Sequence, residues 1–265
     1  MNYNNAFLRD LKHTQVYTEK IMLNNIQKNE EYIPYIKFGS KNIDNVLNGG
    51  FYPQNSYIIF GANKTGKTQI CHHICVQAYY NSIKSVFLDT ENTFRPERVN
   101  ELALTRNLKS EDVLKNILVS KILSNNALQL KLNELENIII SHKIQLLIID
   151  SINNYYRLDI GGKHFSNYQT KSLFYGILEQ VNNLTNKYNL ITLLTAQISP
   201  SFSADSNIKE IPVGQQFLNH FFSEFLYLSY KEEDKGYIHY VKSSMFPEKK
   251  VLYKITKSGV KDYKI

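Results

Sequence analysis

The stretch that decides the fold is Ser56-Tyr-Ile-Ile-Phe-Gly-Ala-Asn-Lys-Thr-Gly-Lys-Thr68. Its first part, Ser56–Phe60, is an apolar run of strand length. Its second part, Gly61–Thr68, is a full match to the phosphate-binding pattern GxxxxGK[ST]. A helix is predicted to follow from Thr68 to Tyr80. A glycine-rich turn between a strand and a helix is the setting that this motif requires, so the sequence predicts a P-loop that binds ATP.

The residue types in this loop suit phosphate for physical reasons. Glycines let the backbone curl until several N–H groups point at phosphate oxygens, and the start of the following helix adds a partial positive charge. Lys67 is predicted to reach the β- and γ-phosphates, and the Thr68 hydroxyl is predicted to ligate Mg²⁺. The residues predicted to hold ATP here are Gly61, Ala62, Asn63, Lys64, Thr65, Gly66, Lys67, Thr68 and Gln69.

Polar residues at the ends of other predicted strands complete the predicted site. The apolar run Leu146–Ile149 ends in Asp150, which we expect to hold Mg²⁺. Glu91 follows a second strand, and carboxylates in that position lie near the phosphates of such sheets, so Glu91 is predicted to orient and polarise the attacking water. Asp89 is the alternative to Glu91. Gln197 ends the fourth strand and is predicted to sense the γ-phosphate.

Strands and helices alternate through most of the chain, which predicts a parallel sheet covered by helices on both faces. The predicted helices are 40–47, 68–80, 95–107, 126–142 and 169–188, and the predicted strands are 56–60, 85–88, 145–149, 190–195, 225–230, 236–241 and 251–256. The last three strands are joined by short turns, which predicts an antiparallel C-terminal extension. Residues 1–34 are predicted to form a helical arm, or alternatively a short disordered tail, and 35–265 the ATPase core.

Composition narrows the class of protein and its compartment. The chain has 265 residues, 43% of them hydrophobic, and a net charge of +7, which suits a polyanionic partner without requiring one. It contains no apolar stretch of the ~18–20 residues that span a bilayer and no apolar signal region at its start, so we expect an intracellular protein without a membrane partner. Cys71 and Cys75 are predicted to be buried reduced thiols, because no second pair of zinc ligands lies nearby.

Taken together, these residues resemble the RecA/RadA family of strand-exchange recombinases over about residues 36–262. The segments that carry the resemblance are Gly66–Cys71, Asp89–Arg98, Leu147–Ser151, Tyr156–Asp159, Thr195–Gln197, Met245–Glu248 and Ile255–Val260. The resemblance implies a P-loop NTPase with a RecA-like α/β core. It also implies that Glu91 and Gln197 act with Lys67 in catalysis and that Arg98 lies against the adenine, a use that suits a planar guanidinium.

The same resemblance implies two DNA-binding loops. The first would span 157–166 and the second 199–213. Lysine, arginine and histidine would contact phosphates, and phenylalanines would stack on bases, whereas the alternative for each residue is a solvated loop without DNA. The residues expected to bind DNA, either single-stranded or double-stranded, are Arg157, Lys163, His164, Phe165, Phe202 and Lys209.

Departures from the family pattern leave the function open. The family carries an N-terminal helix-hairpin-helix domain and a Phe-x-x-Ala tether before the core, and Phe7–Asp10 does not match the tether. Lys242 stands where the family has an Asp over the neighbouring subunit's ATP. The chain therefore resembles the short form, archaeal RadB or a eukaryotic recombinase paralog, and we expect a cytoplasmic or a nuclear protein respectively.

Three functions fit these observations. The first is a DNA-dependent ATPase of homologous recombination, working as a homo-oligomer or with other subunits. The second is an ATP-bound mediator with little hydrolysis that assists a main recombinase or paralog subunits. The third is a RecA-like ATPase of another process, which the Thr90–Arg98 segment disfavours.

Overall fold

A computed structural model describes residues 35–160, 166–200, 208, 210–244 and 247–263. The predicted arm over 1–34 lies outside them. The strands are β1 (Asn55–Gly61), β2 (Lys84–Asp89), β3 (Ile117–Lys121), β4 (Ile144–Asp150), β5 (Ile191–Ala196), β6 (Ile198–Pro200), β7 (Glu210–Pro212), β8 (Glu224–Glu232), β9 (Lys235–Lys242), β10 (Lys249–Thr256) and β11 (Gly259–Asp262). The helices are α1 (Lys41–Val46), α2 (Lys67–Tyr80), α3 (Pro96–Leu104), α4 (Ser110–Lys115), α5 (Asn125–His142), α6 (Asn154–Ile160), α7 (Asn167–Lys187) and α8 (Gln215–Phe221).

Nine of these strands form one sheet in the order β11-β10-β9-β8-β1-β5-β4-β2-β3. The pairs from β8 to β3 are all parallel, and those from β8 to β11 are antiparallel. Strands β6 and β7 form a separate antiparallel hairpin. The predicted fold class, an α/β protein with a mostly parallel sheet and an antiparallel C-terminal extension, is confirmed.

The core has two apolar layers, one on each face of the sheet. In β1, Ile59 belongs to the layer that includes residues of α1, α2 and α3, whereas Ile58 and Phe60 belong to the layer that includes residues of α5, α7 and α8. Successive side chains of a strand point to opposite faces, so continuous apolar strands such as Leu146–Ile149 serve both layers at once. The helices therefore cover both faces, as predicted.

Local sequence explains where several helices begin. Ser166 and Gln169 form a capping box at the start of α7, and the hydroxyl of Ser124 accepts a hydrogen bond from the backbone N–H of Ala127 at the start of α5. Pro96 occupies the first position of α3, where its missing N–H costs nothing. These caps fix the ends of the helices that lie against the sheet.

Short elements were missed or misplaced at the level of sequence. The sequence pattern predicted no element at β3, α4 or α6, because each has seven residues or fewer and shows little periodicity. The prediction that a loop starts at Arg157 is wrong, since 157–160 form the end of α6. Residues 161–165 of that loop lie outside the described residues.

The two ends of the described chain are tied together beside α1. Asp262 accepts hydrogen bonds from the backbone N–H groups of Asn42 (3.0 Å) and Ile43 (3.3 Å) at the start of α1. The backbone N–H of Asp262 in turn donates to the hydroxyl of Ser40 at 2.8 Å. The carboxylate thus accepts from N–H groups at the start of α1 that have no partner within the helix, and it joins α1 to β11.

In the part of the chain that the structure describes, none of the helices has the length and apolar character needed to span a membrane.

Candidate nucleotide-binding site

The P-loop connects the end of β1 to the start of α2, as the motif predicts. Gly61 is required there by space, and Gly66 by its backbone conformation. A Cβ at Gly61 would lie 2.2 Å from the carbonyl oxygen of Leu228, and one at Gly66 would lie 2.7 Å from Cδ1 of Ile255. Gly66 also has a φ of 93°, a left-handed conformation that glycine adopts without strain. The loop therefore keeps its curled shape because two positions have no side chain.

Lys67 lies at the centre of the loop with its ammonium group facing the loop backbone. Nζ donates hydrogen bonds to the carbonyl oxygens of Gly61 (2.8 Å) and Ala62 (3.1 Å), and the residue is buried. Burial lowers the pKa of Lys67, and the carboxylates of Glu91 and Asp150 oppose that shift. A buried cation held by neutral carbonyls on a glycine loop is suited to bind a phosphate anion.

Asp150 ends β4 and is surrounded by hydroxyl groups. Its Oδ2 accepts hydrogen bonds from Oγ1 of Thr68 (2.7 Å) and Thr93 (3.1 Å), and its Oδ1 accepts one from Thr195. Burial raises the pKa of Asp150, and the hydrogen bonds from Thr195 and Thr68 oppose the rise. A carboxylate and a hydroxyl side by side are the hard oxygen ligands that Mg²⁺ prefers, so these residues fit the predicted metal.

Glu91 follows β2, and its carboxylate contacts a hydroxyl group and an amide group from two other segments of the chain. Its Oε1 accepts hydrogen bonds from Oγ of Ser151 (2.6 Å) and from Nε2 of Gln197 (2.8 Å). Asp89, the alternative catalytic carboxylate, is buried and accepts hydrogen bonds from backbone N–H groups at 91, 93 and 94. Asp89 therefore holds the loop after β2 in place, while Glu91 lines the cavity in front of the P-loop.

Two adjoining depressions lie beside the P-loop. One of about 290 Å³ is lined by Asn63, Lys64, Gly66, Lys67, Thr68, Gln69, Glu91, Thr93 and Ile255. The other, of about 600 Å³, is lined by Gln69, Arg98, Glu101, Asp234, Lys254, Ile255, Thr256 and Lys257. They share Gln69 and Ile255, which gives a continuous surface for a phosphate chain with a base attached.

Arg98 forms one wall of the larger depression and is held on three sides. Its Nε donates to Oε1 of Gln69 at 2.7 Å, and its Nη atoms donate to the carbonyl oxygens of Thr256 (2.6 Å) and Lys257 (3.0 Å). Glu101 forms an ion pair with the same guanidinium. These contacts fix the plane of the guanidinium, as stacking on a base requires.

Of the six predicted DNA-binding residues, the structure describes one. Arg157 lies exposed in α6, directly before the segment 161–165. Lys163, His164, Phe165, Phe202 and Lys209 lie outside the described residues. The hairpin of β6 and β7 forms the base of the predicted second loop, because these two strands flank 201–209.

Two asparagines at the site were not selected from the sequence. Asn153 and Asn154 follow β4. Asn153 contacts the backbone of Gln197, and Asn154 contacts its side chain. The run Asp150-Ser-Ile-Asn-Asn154 carries the signal, since four polar residues within five positions after a buried strand lie at the edge of the sheet where the phosphates bind.

Cys71 and Cys75 are buried free thiols, and burial raises the pKa of both. This agrees with the prediction of inert reduced thiols. No group of three or more candidate metal ligands occurs among the residues that the structure describes.

Comparison with known proteins identifies the family. A family model described as Rad51 matches residues 29–263. The DNA repair and recombination protein RadA of Methanococcus maripaludis (strain C5) is 27% identical over 252 residues, which cover 89% of this chain and 78% of that protein. The meiotic recombination protein DLH1 of Candida albicans is 31% identical over 244 residues, which cover 86% of this chain and 73% of that protein. The chain therefore belongs to the Rad51 family, which confirms the resemblance to RecA/RadA recombinases.

Proposed function

We propose that this protein binds and hydrolyses ATP and binds DNA in homologous recombination and DNA repair. The observation that carries the proposal is the contact of Glu91 with Gln197 beside a P-loop whose Thr68 contacts Asp150. The names of its relatives, a DNA repair and recombination protein and a meiotic recombination protein, support the process.

Binding of the triphosphate would use the loop backbone first. The N–H groups of 61–69 would donate to phosphate oxygens, and Lys67 would exchange its two carbonyl contacts for the β- and γ-phosphates. Thr68 and Asp150 would hold Mg²⁺, which would neutralise charge on the phosphates. Arg98 would lie against the base, because its guanidinium is fixed in the adjoining depression.

Hydrolysis would require a polarised water in line with the γ-phosphorus. Glu91 would accept a hydrogen bond from that water, whose oxygen forms a bond to phosphorus while the bond to the bridging oxygen breaks and ADP takes the electron pair. Gln197 would sense the γ-phosphate, since it is hydrogen bonded to the same carboxylate that contacts the water. The proton released ends on Glu91 or on the phosphate product.

DNA would bind to the loops that follow α6 and β6. We propose Arg157, Lys163, His164 and Lys209 as phosphate contacts, with Phe165 and Phe202 stacking on bases. Gln197 is joined to the end of the second predicted loop, because the backbone N–H of Val213 donates a hydrogen bond to its carbonyl oxygen at 2.9 Å. A change at the γ-phosphate could thereby alter the second loop.

An accessory role is the second candidate, and Lys242 favours it. Its Nζ donates to Oδ1 of Asn219 (3.1 Å) and the carbonyl of Phe222 (3.4 Å), and it lies over the ring of Phe225 at 4.9 Å. A lysine with these contacts cannot act as the family's Asp does. The protein would then serve a main recombinase or paralog subunits as an ATP-bound partner, with slow turnover, either alone or as a homo-oligomer.

The test is ATP turnover by the purified protein with and without single-stranded DNA, compared with a Glu91→Gln variant. Turnover that DNA stimulates and the variant lacks supports a DNA-dependent ATPase. Tight ATP binding with slow turnover that ignores DNA supports the accessory role. Absence of ATP binding would contradict both candidates.

A further inference from the structure

Asn154, the first residue of α6, is held in one orientation by a backbone group. Its Nδ2 donates a hydrogen bond to the carbonyl oxygen of Thr90 at 2.8 Å. A carbonyl oxygen only accepts hydrogen bonds, so the amide of Asn154 cannot be reversed without breaking this hydrogen bond. Its Oδ1 is therefore the atom that faces Gln197.

The orientation of Asn154 in turn determines that of Gln197. Nε2 of Gln197 donates to Oδ1 of Asn154 at 3.1 Å and to Oε1 of Glu91 at 2.8 Å. Both of these oxygens are acceptors, so Gln197 turns its NH₂ group toward them and uses both of its hydrogens. In the described part of the chain, Oε1 of Gln197 is buried and has no hydrogen-bond partner.

The backbone of Gln197 is held independently by the residue that precedes Asn154. Oδ1 of Asn153 accepts from the N–H of Gln197 at 2.8 Å, and Nδ2 of Asn153 donates to the carbonyl oxygens of Gln197 (2.9 Å) and Val213 (3.0 Å). The two asparagines therefore divide the task. Asn153 places the backbone of Gln197, and Asn154 sets the direction of its side-chain amide.

We propose that Asn154 is a positioning residue for ATP hydrolysis, an inference that rests on the proposed function. By accepting from Nε2 of Gln197, it keeps that NH₂ group on Oε1 of Glu91. A carboxylate offers about four acceptor positions, of which Ser151 and Gln197 use two. A water can donate to one of the remaining positions of Glu91 and keep a lone pair for the γ-phosphorus.

This arrangement gives Gln197 a defined role. Its NH₂ group, directed by Asn154, fixes the Glu91 carboxylate that accepts from the attacking water. Asn154 acts through Gln197 and need not contact ATP.

The test is a double-mutant cycle of Asn154→Ala and Gln197→Ala, with Asn126→Ala as the matched control. Asn126 is exposed near the start of α5. We expect Asn154→Ala to lower kcat about 10- to 100-fold with KM for ATP unchanged, because misplaced catalytic groups slow the chemical step. The double variant should turn over no more slowly than Gln197→Ala alone. Additive losses, or an unchanged kcat in Asn154→Ala, would overturn the proposal.

A conservative variant separates positioning from a structural role. Asn154→Asp keeps an acceptor toward Gln197, loses the donor toward Thr90 and places a second carboxylate beside Glu91, which disfavours the ionised form of Glu91. We expect the acid limb of the kcat profile to move to higher pH. A profile that keeps its shape and only loses amplitude would mean that Asn154 merely supports the fold.

A measurement without turnover keeps this inference separate from the proposed function. In ¹⁵N spectra, the side-chain amide of Gln197 is assigned by its loss in Gln197→Ala. We expect one of its two proton resonances to move upfield in Asn154→Ala and neither to move in Asn126→Ala. If neither resonance moves in Asn154→Ala, the orientation that we infer is overturned. If the expected shift is seen but the wild-type protein does not hydrolyse ATP, only the proposed ATPase function is rejected.

Discussion

Gln197 donates a hydrogen bond of 2.8 Å from its side-chain amide to Oε1 of Glu91. The two residues are separated by 106 positions in the sequence and follow different strands, β2 and β5. Their contact brings a carboxylate and an amide together in front of Lys67. We therefore expect the pair to govern the chemical step rather than nucleotide affinity.

Replacing Glu91 with Gln should lower ATP turnover and leave ATP affinity nearly unchanged. The variant keeps the size of the side chain but removes the negative charge that polarises water. We expect turnover to fall by about 10²- to 10⁴-fold, which is typical for loss of a catalytic base. ATP affinity, measured by calorimetry, should stay within a few-fold of wild type. Glu111→Gln, an exposed substitution in α4, is the control, and equal turnover of Glu91→Gln and wild type would reject Glu91.

The two lysines of the P-loop should differ in their effect on ATP binding. Lys67 is buried beside two loop carbonyls, whereas the side chain of Lys64 is exposed. Lys67→Ala should abolish measurable ATP binding, because the β- and γ-phosphates lose their main charged partner. Lys64→Ala should bind within a few-fold of wild type. Normal affinity in Lys67→Ala would contradict the phosphate-site assignment.

DNA binding should depend on the first predicted loop through its charges. Replacing Arg157 and Lys163 with Ala should weaken binding of single-stranded DNA and reduce the slope of log affinity against log salt by ~0.7 for each DNA phosphate that is no longer neutralised. The control is Lys84→Ala with Lys115→Ala, two exposed lysines, of which Lys84 begins β2 at the edge opposite the P-loop. A slope that matches wild type would exclude this loop as a DNA-binding surface.

The cap that joins Asp262 to α1 should contribute measurably to stability. Asp262→Ala removes the acceptor of the N–H groups of Asn42 and Ile43. We expect the free energy of unfolding to fall by about 1 kcal/mol, as when other helix caps are removed. Urea denaturation measures this, with the exposed Glu233→Ala as control. A decrease no greater than in the control would mean that water replaces the carboxylate at no cost.

Buried His73 should make the fold sensitive to acid. Burial lowers its pKa to about 3, while one ring nitrogen contacts the carbonyl of Phe38 at 2.7 Å and the other contacts the backbone of Val260 at 3.3 Å. The unfolded chain binds a proton below the ordinary histidine pKa of about 6.5, and the folded chain does not until about pH 3. The stability contributed by neutral His73 is therefore full above pH 6.5 and is lost as pH falls toward 3.

The corresponding experiment is urea denaturation between pH 7 and pH 4 for wild type and His73→Gln. We expect wild type to lose up to about 1.4 kcal/mol per pH unit more than the variant over this range. His142→Gln, at an exposed position at the end of α5, should keep the wild-type slope. Parallel curves for wild type and His73→Gln would show that His73 titrates alike in the folded and unfolded chains.

Patterns that are local in the chain were predictable from it. The phosphate loop, the buried strands and the long helices depend on residue order over ten to twenty positions. Apolar runs such as Leu146–Ile149 and the glycine spacing of Gly61–Thr68 therefore identified the parallel sheet and the edge where the site lies. Short elements such as β3 were not predicted. Pairing with β2 stabilises β3, whose own sequence shows too little periodicity to indicate a strand.

Contacts between distant residues were decided only by the tertiary structure. The sequence offered both Glu91 and Asp89 as the catalytic carboxylate. It could not show that Asp89 accepts hydrogen bonds from backbone N–H groups, whereas Glu91 contacts Gln197. The position of Asn154 after a buried strand put it near the site, but the sequence could not show its hydrogen bonds to Thr90 and Gln197. Hydrogen-bond direction depends on which donors and acceptors the folded sheet brings within about 3 Å, and residue types and spacing alone do not contain that information.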